Sequence, residues 1–291
     1  MKCLIIGGDS KLSQKLIPLL RANNIEYYST SRRKKKSKKS IFLDLESIDN
    51  FLIPKNTTSA LIIGGITNYD ICKNNYEYAY NINCIQIPKL FSRLIKKNIF
   101  TVFVSTNTVF KFKKKIPNEK NIPNPSFEYS KLKRITEQKL IEISKKNDKK
   151  KYLSILRLTK NVSVDTSPFG TWIKNINENK PITALKDLYF SPITFEDSSK
   201  ILIHLIQKKK SGIFHLSGEK DISYSEFSLK FLNFLNKDSN FVNSKNSKQL
   251  GLNLVYNHNV TALSMRYTSN KINFYPIQLE KIFIYLAKFI K

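Results

Sequence analysis

Little in this chain points to a metal, a disulfide or a membrane span. Its three cysteines, Cys3, Cys72 and Cys84, are odd in number and lack metal-type spacing, and the imidazoles are limited to His204, His215 and His258. Reduced thiols and no structural metal are therefore expected. No apolar run approaches the roughly 18 residues that a membrane span requires, and Leu4-Ile5-Ile6 is far too short for the apolar core of a secretory signal. The chain is accordingly assigned to the cytoplasm, without a membrane partner. Acidic residues are also scarce, 22 against 50 Lys and Arg, giving a formal charge of +28. A basic surplus can draw a protein to nucleic acid through counterion release. Here the lysines are spread over the whole chain among abundant Asn and Ile, as A- and T-rich coding DNA would produce. No helix-turn-helix, zinc-finger or RNA-recognition signature accompanies them, so no nucleic-acid partner is expected.

What the chain does have is a core and a rhythm. Hydrophobic residues make up 41% of its 291 positions, enough for one large or two small domains. Short apolar runs at Cys3–Ile6, Glu26–Ser29, Ile41–Leu43, Ala60–Ile63, Phe100–Val104 and Leu153–Leu158 alternate with helical patterns at Leu12–Leu20, Tyr76–Ile95 and Ser130–Ile143. That alternation predicts βαβ units and an α/β fold, a doubly wound parallel sheet covered on both faces, over residues 1–160. Beyond about Asn161 the pattern is less regular. Helices at Thr171–Asn179, Phe195–Gln207, Tyr224–Leu235 and Leu279–Lys288 and strands at Ile182–Leu185 and Gly212–Leu216 read as a smaller substrate-binding lobe over 161–291, interleaved with the end of the sheet. The stretch from Pro117 to Pro125 reads as an ordered loop over a site.

The first strand runs into Gly7-Gly8-Asp9-Ser10-Lys11-Leu12-Ser13, where a dinucleotide-binding fold places its glycine-rich turn. Glycine serves there for the tight turn, for close approach of a pyrophosphate and for helix–strand packing. Gly7 keeps the first role, while Ser10 and Ser13 occupy the other two positions and Ser10 also suits a helix N-cap. Gly7, Ser10, Lys11 and Leu12 are the candidate pyrophosphate contacts. The second strand ends in Tyr28-Ser29-Thr30-Ser31-Arg32-Arg33, without the acidic residue that would accept bonds from both ribose hydroxyls of NAD. Ser31 and Arg32 suit the 2′-phosphate of NADP instead, and Lys34 to Lys39 extend the basic run or form a solvated loop.

Tyr129 and Lys133 are four residues apart, one turn on a helix face, so the lysine can pull the tyrosine pKa down from about 10 toward useful acid–base chemistry. A hydroxyl at the end of the preceding strand, in Phe103-Val104-Ser105-Thr106, can hold a substrate oxygen between them. Alone, Tyr-x-x-x-Lys is a common spacing in a lysine-rich chain.

The surroundings are more specific. Ser105-Thr106-Asn107-Thr108-Val109-Phe110, then Pro117-Asn118-Glu119, Pro123-Asn124-Pro125 and Tyr129-Ser130-Lys131-Leu132-Lys133 through Glu137, resemble the active-site segment of the dTDP-4-dehydrorhamnose reductases, in the extended short-chain dehydrogenase/reductase superfamily. Thr67-Asn68-Tyr69-Asp70, Ala79-Tyr80-Asn81-Ile82-Asn83, Ser191-Pro192, Phe195-Glu196-Asp197 and Phe214-His215-Leu216-Ser217-Gly218 fall in the family's order, over roughly residues 1 to 235. The resemblance implies an NAD(P)-binding Rossmann fold with Thr106, Tyr129 and Lys133 as the catalytic trio, Ser105 being the alternative hydroxyl. It implies a structural Asn83 and cofactor contacts from Asp44, Leu45, Gly64 and Gly65. The implied reaction is NADPH-dependent reduction, NADH being the alternative cofactor, of the 4-keto group of a nucleotide-linked 6-deoxyhexose for surface polysaccharide, by a protein that can pair as a homodimer. Asn107-Thr108 replaces the acidic pair of the related 4,6-dehydratases. Lys160-Asn161-Val162-Ser163 replaces the family's aromatic-Val-Tyr-Gly segment, so part of the sugar pocket differs. The rival readings are a non-catalytic sugar-nucleotide-binding or regulatory protein and an NDP-sugar 4-epimerase.

Overall fold

A computed structural model describes residues 1–33, 39–111, 115–252 and 260–291. Lys34 to Lys36, Lys38 and His258 lie outside the described residues. The chain opens with β1 (Lys2–Ile6), buried from Cys3 to Ile6 without alternation, as a sheet covered on both faces requires. Helix α1 (Lys11–Ala22) turns Leu12, Leu16 and Leu20 inward at helical spacing. Next come β2 (Glu26–Ser31), β3 (Ser40–Phe42) and β4 (Ser59–Ile62). The segment read as one helix from Tyr76 to Ile95 is instead preceded by α2 (Tyr69–Asn74) and divided into α3 (Tyr76–Tyr80), a π-helical turn at Asn81–Gln86 and α4 (Ile87–Lys96). Then β5 (Phe100–Thr106), α5 (Glu128–Lys146) and β6 (Leu153–Leu158) complete the βα alternation.

The later chain forms β7 (Lys160–Val162), α6 (Phe169–Asn177), β8 (Ile182–Leu185), β9 (Tyr189–Phe190) and β10 (Pro192–Thr194), followed by α7 (Phe195–Lys208) and β11 (Gly212–Leu216). It ends with β12 (Ile222–Ser223), α8 (Tyr224–Phe234), β13 (Val242–Lys245), α9 (Arg266–Ile272) and α10 (Leu279–Ala287). The described residues divide into two compact units, one of Met1–Lys111, Ile122–Arg157 and Phe195–Phe214, the other of Phe112–Asn121, Leu158–Thr194 and His215–Lys291.

The main sheet is parallel and seven-stranded, in the order β11-β6-β5-β4-β1-β2-β3. Sequence order reverses between β4 and β1, which makes the crevice at their carboxyl ends the switch point where such folds take ligands. Leu4, Ile6, Ala60, Ile62, Phe103 and Ile155 join Leu90, Phe91 and Leu94 of α4 in one core cluster. The second unit has three two-stranded pairs, β7 with β10, β8 with β13 and β9 with β12. Its core is aromatic: Phe169, Trp172, Phe190, Tyr224 and Phe227 meet with ring centroids 4.3 to 6.3 Å apart.

Candidate active site

At the switch point two backbones touch. Gly7 has φ +90°, and a Cβ on it would stand 2.5 Å from Gly64 Cα. Both conformation and space demand glycine there. The turn is closed by serines. Ser10 caps α1, its hydroxyl accepting from the Ser13 amide at 3.1 Å, and donates to Ser13 Oγ at 2.9 Å, while Ser13 Oγ donates to the Gly7 carbonyl at 2.8 Å. Ser13, fully buried, thus fills a position the motif leaves bare by folding its hydroxyl back onto the loop. Lys11 and Leu12 open α1, in the first turn whose amides have no carbonyl before them within the helix.

The other predicted cofactor contacts lie on the same edge. Ser31 ends β2 and is buried; its hydroxyl donates to Asp9 at 2.6 Å and accepts from the Arg33 amide at 2.9 Å. That hydroxyl is committed to the loop, while Arg32 and Arg33 beside it are exposed. Arg32 also reaches Tyr78, whose pKa burial and Glu46 push up and Arg32 pulls down. Asp44 and Leu45 follow β3, where Asp44 Oδ1 accepts from the Glu46 amide at 3.0 Å and half-buried Leu45 packs on the core. Gly64 and Gly65 follow β4. Gly65 has φ +141°, and a Cβ there would meet Asn83 Oδ1 at 2.6 Å. Asn83 grips this loop by both ends of its amide, accepting from Ile66 N at 3.0 Å and donating to Ile66 O at 2.9 Å.

The end of β5 separates its two hydroxyls. Ser105 is buried and donates to Glu137 Oε1 at 2.5 Å. Thr106 is half-buried, and its hydroxyl accepts from the Thr108 amide at 3.2 Å and lies 3.1 Å from Thr108 Oγ1. Ser130 in the first turn of α5 donates to Thr108 Oγ1 at 2.7 Å, so a chain of hydroxyls runs from the helix to Thr106. Ser105 thus gives its only hydroxyl proton to a buried carboxylate, whereas the half-buried Thr106 hydroxyl donates to Asn107 Oδ1 at 3.3 Å.

Helix α5 begins two residues before the sequence pattern indicates, at Glu128, so Tyr129 lies in its first turn and Lys133 one turn further. The half-buried Tyr129 ring packs 5.2 Å from that of Tyr69 and 6.3 Å from that of Phe127. Lys133 is buried; its ammonium donates to the Val104 carbonyl at 2.9 Å and sits 4.6 Å over the Phe103 ring. Burial pulls its pKa down to about 8, with Glu137 pulling the other way. Lys133 is therefore fastened to the strand that carries Thr106, with Tyr129 one helical turn before it.

This layout can be set beside known proteins. A family profile described as RmlD substrate binding domain matches residues 1–267. The chain belongs to that family. Among solved structures it is similar to a dTDP-4-dehydrorhamnose reductase from Clostridium acetobutylicum, with TM-score 0.81 and 19% identity over 99% of both chains. It is also similar to one from Bacillus anthracis solved in complex with NADP, with TM-score 0.80 and 17% identity over 99% of this chain and 96% of that one. A UDP-N-acetylglucosamine 4-epimerase from Bacillus cereus follows the same fold, with TM-score 0.75 and 17% identity over 98% and 99% of the two chains. At these identities the likeness is one of fold. A sequence search of curated proteins finds no match.

In this member of the RmlD substrate binding domain family, one cluster escaped the sequence reading. Glu137 and Arg157 are both fully enclosed and form a two-pronged pair, Nη2 to Oε2 at 2.7 Å and Nε to Oε1 at 3.1 Å. The guanidinium lies 5.0 Å over the Phe110 ring. The pair holds Ser105, and through it the strand end bearing Thr106. The signal was available: a lone Arg inside the apolar run Leu153–Leu158 must find a counter-ion once buried. Glu137, one turn beyond Lys133 on α5, is that partner. Among the described residues no group of His, Cys, Asp and Glu is arranged to hold a metal ion.

Proposed function

We propose that the protein is an NADPH-dependent reductase of the 4-keto group of a nucleotide-linked 6-deoxyhexose, working in the cytoplasm to supply a sugar for surface polysaccharide. The observation that carries the reading is Lys133, an ammonium buried at the foot of α5, bonded to the strand end that presents Thr106 and one turn from Tyr129. A buried lysine opposes folding, so its presence beneath the strand end that carries Thr106, one turn from Tyr129, is better explained by chemistry than by packing.

The first unit fits a nicotinamide dinucleotide. The Gly7 and Gly64 backbones meet where a Cβ would collide, the start of α1 directs first-turn amides toward an anion, and Arg32 and Arg33 bring positive charge to the end of β2 for a 2′-phosphate. The NADP in the Bacillus anthracis reductase supports that choice of cofactor. NADPH held by the Gly7 turn, the start of α1 and the two arginines would supply the hydride for C4 of the sugar. Tyr129 donates its phenolic proton to the oxygen that becomes an alkoxide, and the Lys133 charge favours the phenolate left behind. Thr106 turns the proton it gives Asn107 Oδ1 at 3.3 Å toward the same oxygen, with the Thr108 and Ser130 hydroxyls lined up behind it. Asn107 and Thr108 offer no carboxyl for an elimination, which separates this reading from dehydration.

The test is NADPH oxidation by the purified protein with a dTDP-4-keto-6-deoxyhexose, alongside Tyr129→Phe. The expected loss of turnover is on the order of 10²- to 10⁴-fold with NADPH affinity unchanged. Undiminished turnover in Tyr129→Phe would remove the tyrosine from the chemistry. Binding of the nucleotide sugar with no affinity for NADPH or NADH would establish the non-catalytic alternative.

A further inference from the structure

Three adjacent strands of the main sheet, β11, β6 and β5, each begin directly after a lysine-rich turn. Lys96 and Lys97 close α4 ahead of β5; Lys145, Lys146, Lys149, Lys150 and Lys151 surround the passage from α5 into β6; Lys208, Lys209 and Lys210 close α7 ahead of β11. Because the sheet is parallel, these turns share the end of the first unit at which strands begin. Two of them touch, Lys149 Nζ donating to Asn98 Oδ1 at 2.7 Å. Ile95, Ile99, Tyr152, Leu153 and Ile213 pack together beneath them. All ten ammonium-bearing residues are exposed except Lys149, which is half-buried. Their field is felt inside the fold, where burial first and then Lys208 and Lys210 lower the His204 pKa.

Ten of the fifteen residues at 96–98, 145–151 and 207–211 are lysine and one, Asp148, is acidic, whereas the whole chain has 50 basic and 22 acidic residues. A cation in the last turn of a helix complements its dipole, which accounts for one or two lysines per turn. Five around the α5–β6 turn go beyond that.

Against the expectation from sequence that there is no membrane partner, we infer that this face binds a fluid anionic surface, a phospholipid bilayer carrying acidic headgroups. The ten residues are Lys, as most basic residues of this chain are, and ammoniums are compact hydrated charges suited to diffuse attraction. The aromatic residue of the turns, Tyr152, is half-buried with the Lys149 and Lys151 ammoniums 5.3 and 5.7 Å from its ring centre, so the turns carry no row of exposed aromatic rings of the kind that stacks successive bases. Headgroups in a bilayer can drift to meet fixed lysines, while nucleic-acid phosphates hold their own spacing. No helix among the described residues is long and apolar enough to cross a membrane, so the contact is peripheral. The switch-point edge with Gly7 and Thr106 lies at the other ends of the strands and stays clear of it. The inference does not depend on the reductase reading.

The experiment is co-sedimentation of the full chain with phosphatidylcholine vesicles, with or without about 30 mol% phosphatidylserine. Lys146→Glu/Lys150→Glu/Lys209→Glu is compared with Lys220→Glu/Lys248→Glu/Lys271→Glu, an equal charge change on exposed positions of the second unit. Binding is expected with phosphatidylserine only, to be lost near ~0.5 M salt, to fall at least about a hundredfold in the first variant and to change less than about twofold in the second. The same lysines changed to Gln give the same ranking should the Glu variant fail to fold by circular dichroism. Absence of binding to acidic vesicles at low salt, equal loss in both variants, or a preference of this face for duplex oligonucleotide over vesicles would overturn the inference.

Discussion

An ammonium buried as Lys133 is works against folding for as long as it keeps its proton. With its pKa lowered from 10.5 to about 8, the folded chain at neutral pH carries a charge whose burial costs on the order of 3 kcal/mol. Below pH 8 folded and unfolded chains are both protonated and the cost is fully present. Between about 8 and 10.5 the unfolded chain holds a proton that the folded chain has released, so this contribution to stability rises with pH across that window. Lys133→Met keeps an unbranched apolar stem over Phe103 and removes the charge. It is expected to stabilise the protein by ~1–2 kcal/mol at pH 7, after loss of the bond to the Val104 carbonyl, with the gain fading toward the upper end of the window. Thermal unfolding at neutral and alkaline pH reads both effects. Turnover of the unaltered protein is expected to fall as pH rises through about 8, because the charge that favours the Tyr129 phenolate disappears there. A rate flat across that range would detach Lys133 from the chemistry.

At the scale of elements, β5, α5 and β6 are joined by the buried pair of Glu137 and Arg157, with Ser105 as its third member. Glu137→Gln leaves Arg157 charged in an apolar strand run without its carboxylate. The expected cost is about 3–5 kcal/mol in denaturant unfolding. Most of it should return in the double variant Glu137→Leu/Arg157→Met, since an apolar replacement of both partners carries no stranded charge. Activity should fall in both, because the Ser105 hydroxyl that anchors the Thr106 strand end loses its geometry. These three elements were legible in the sequence, where apolar runs and the helical period place them within a few residues. The broken helix between Tyr69 and Lys96 was not. Its pattern is continuous, and what divides it is tertiary: the π-helical turn at Asn81–Gln86 carries Asn83 onto the Ile66 backbone. From α5, Thr136 and Lys139 bond the Asn83 and Cys84 carbonyls at 2.9 and 2.8 Å. Partners some fifty residues away decide that geometry, and no local spacing encodes them. The serine turn behaves likewise. Ser10 and Ser13 look like losses in a glycine motif until their hydroxyls are seen closing the loop on Gly7.

Over the whole molecule the governing quantity is charge. Lysines read along the sequence look evenly scattered, and only the sheet order, which sets β11, β6 and β5 side by side, gathers ten of them on one face. A net charge of +28 also means that folding brings like charges together. The surface pairs that oppose this, such as Lys89 with Asp49 and Lys200 with Glu196, are largely exposed and each contributes little. Salt should therefore stabilise the fold. Raising NaCl from ~0.01 to ~0.15 M shortens the screening length from about 30 to about 8 Å, less than the spacing of charges on separate faces. The unfolding midpoint is expected to rise by a few degrees over that range, because the repulsion removed is larger in the compact chain than in the expanded one. Productive association with an anionic nucleotide sugar should slow over the same range, since the attraction that steers it is screened as well. Stability and kcat/KM would then move in opposite directions with one variable. A midpoint that does not respond would mean that the lysines are spaced widely enough to be screened by water alone, and an association rate that does not respond would confine the charge to faces remote from the switch-point crevice.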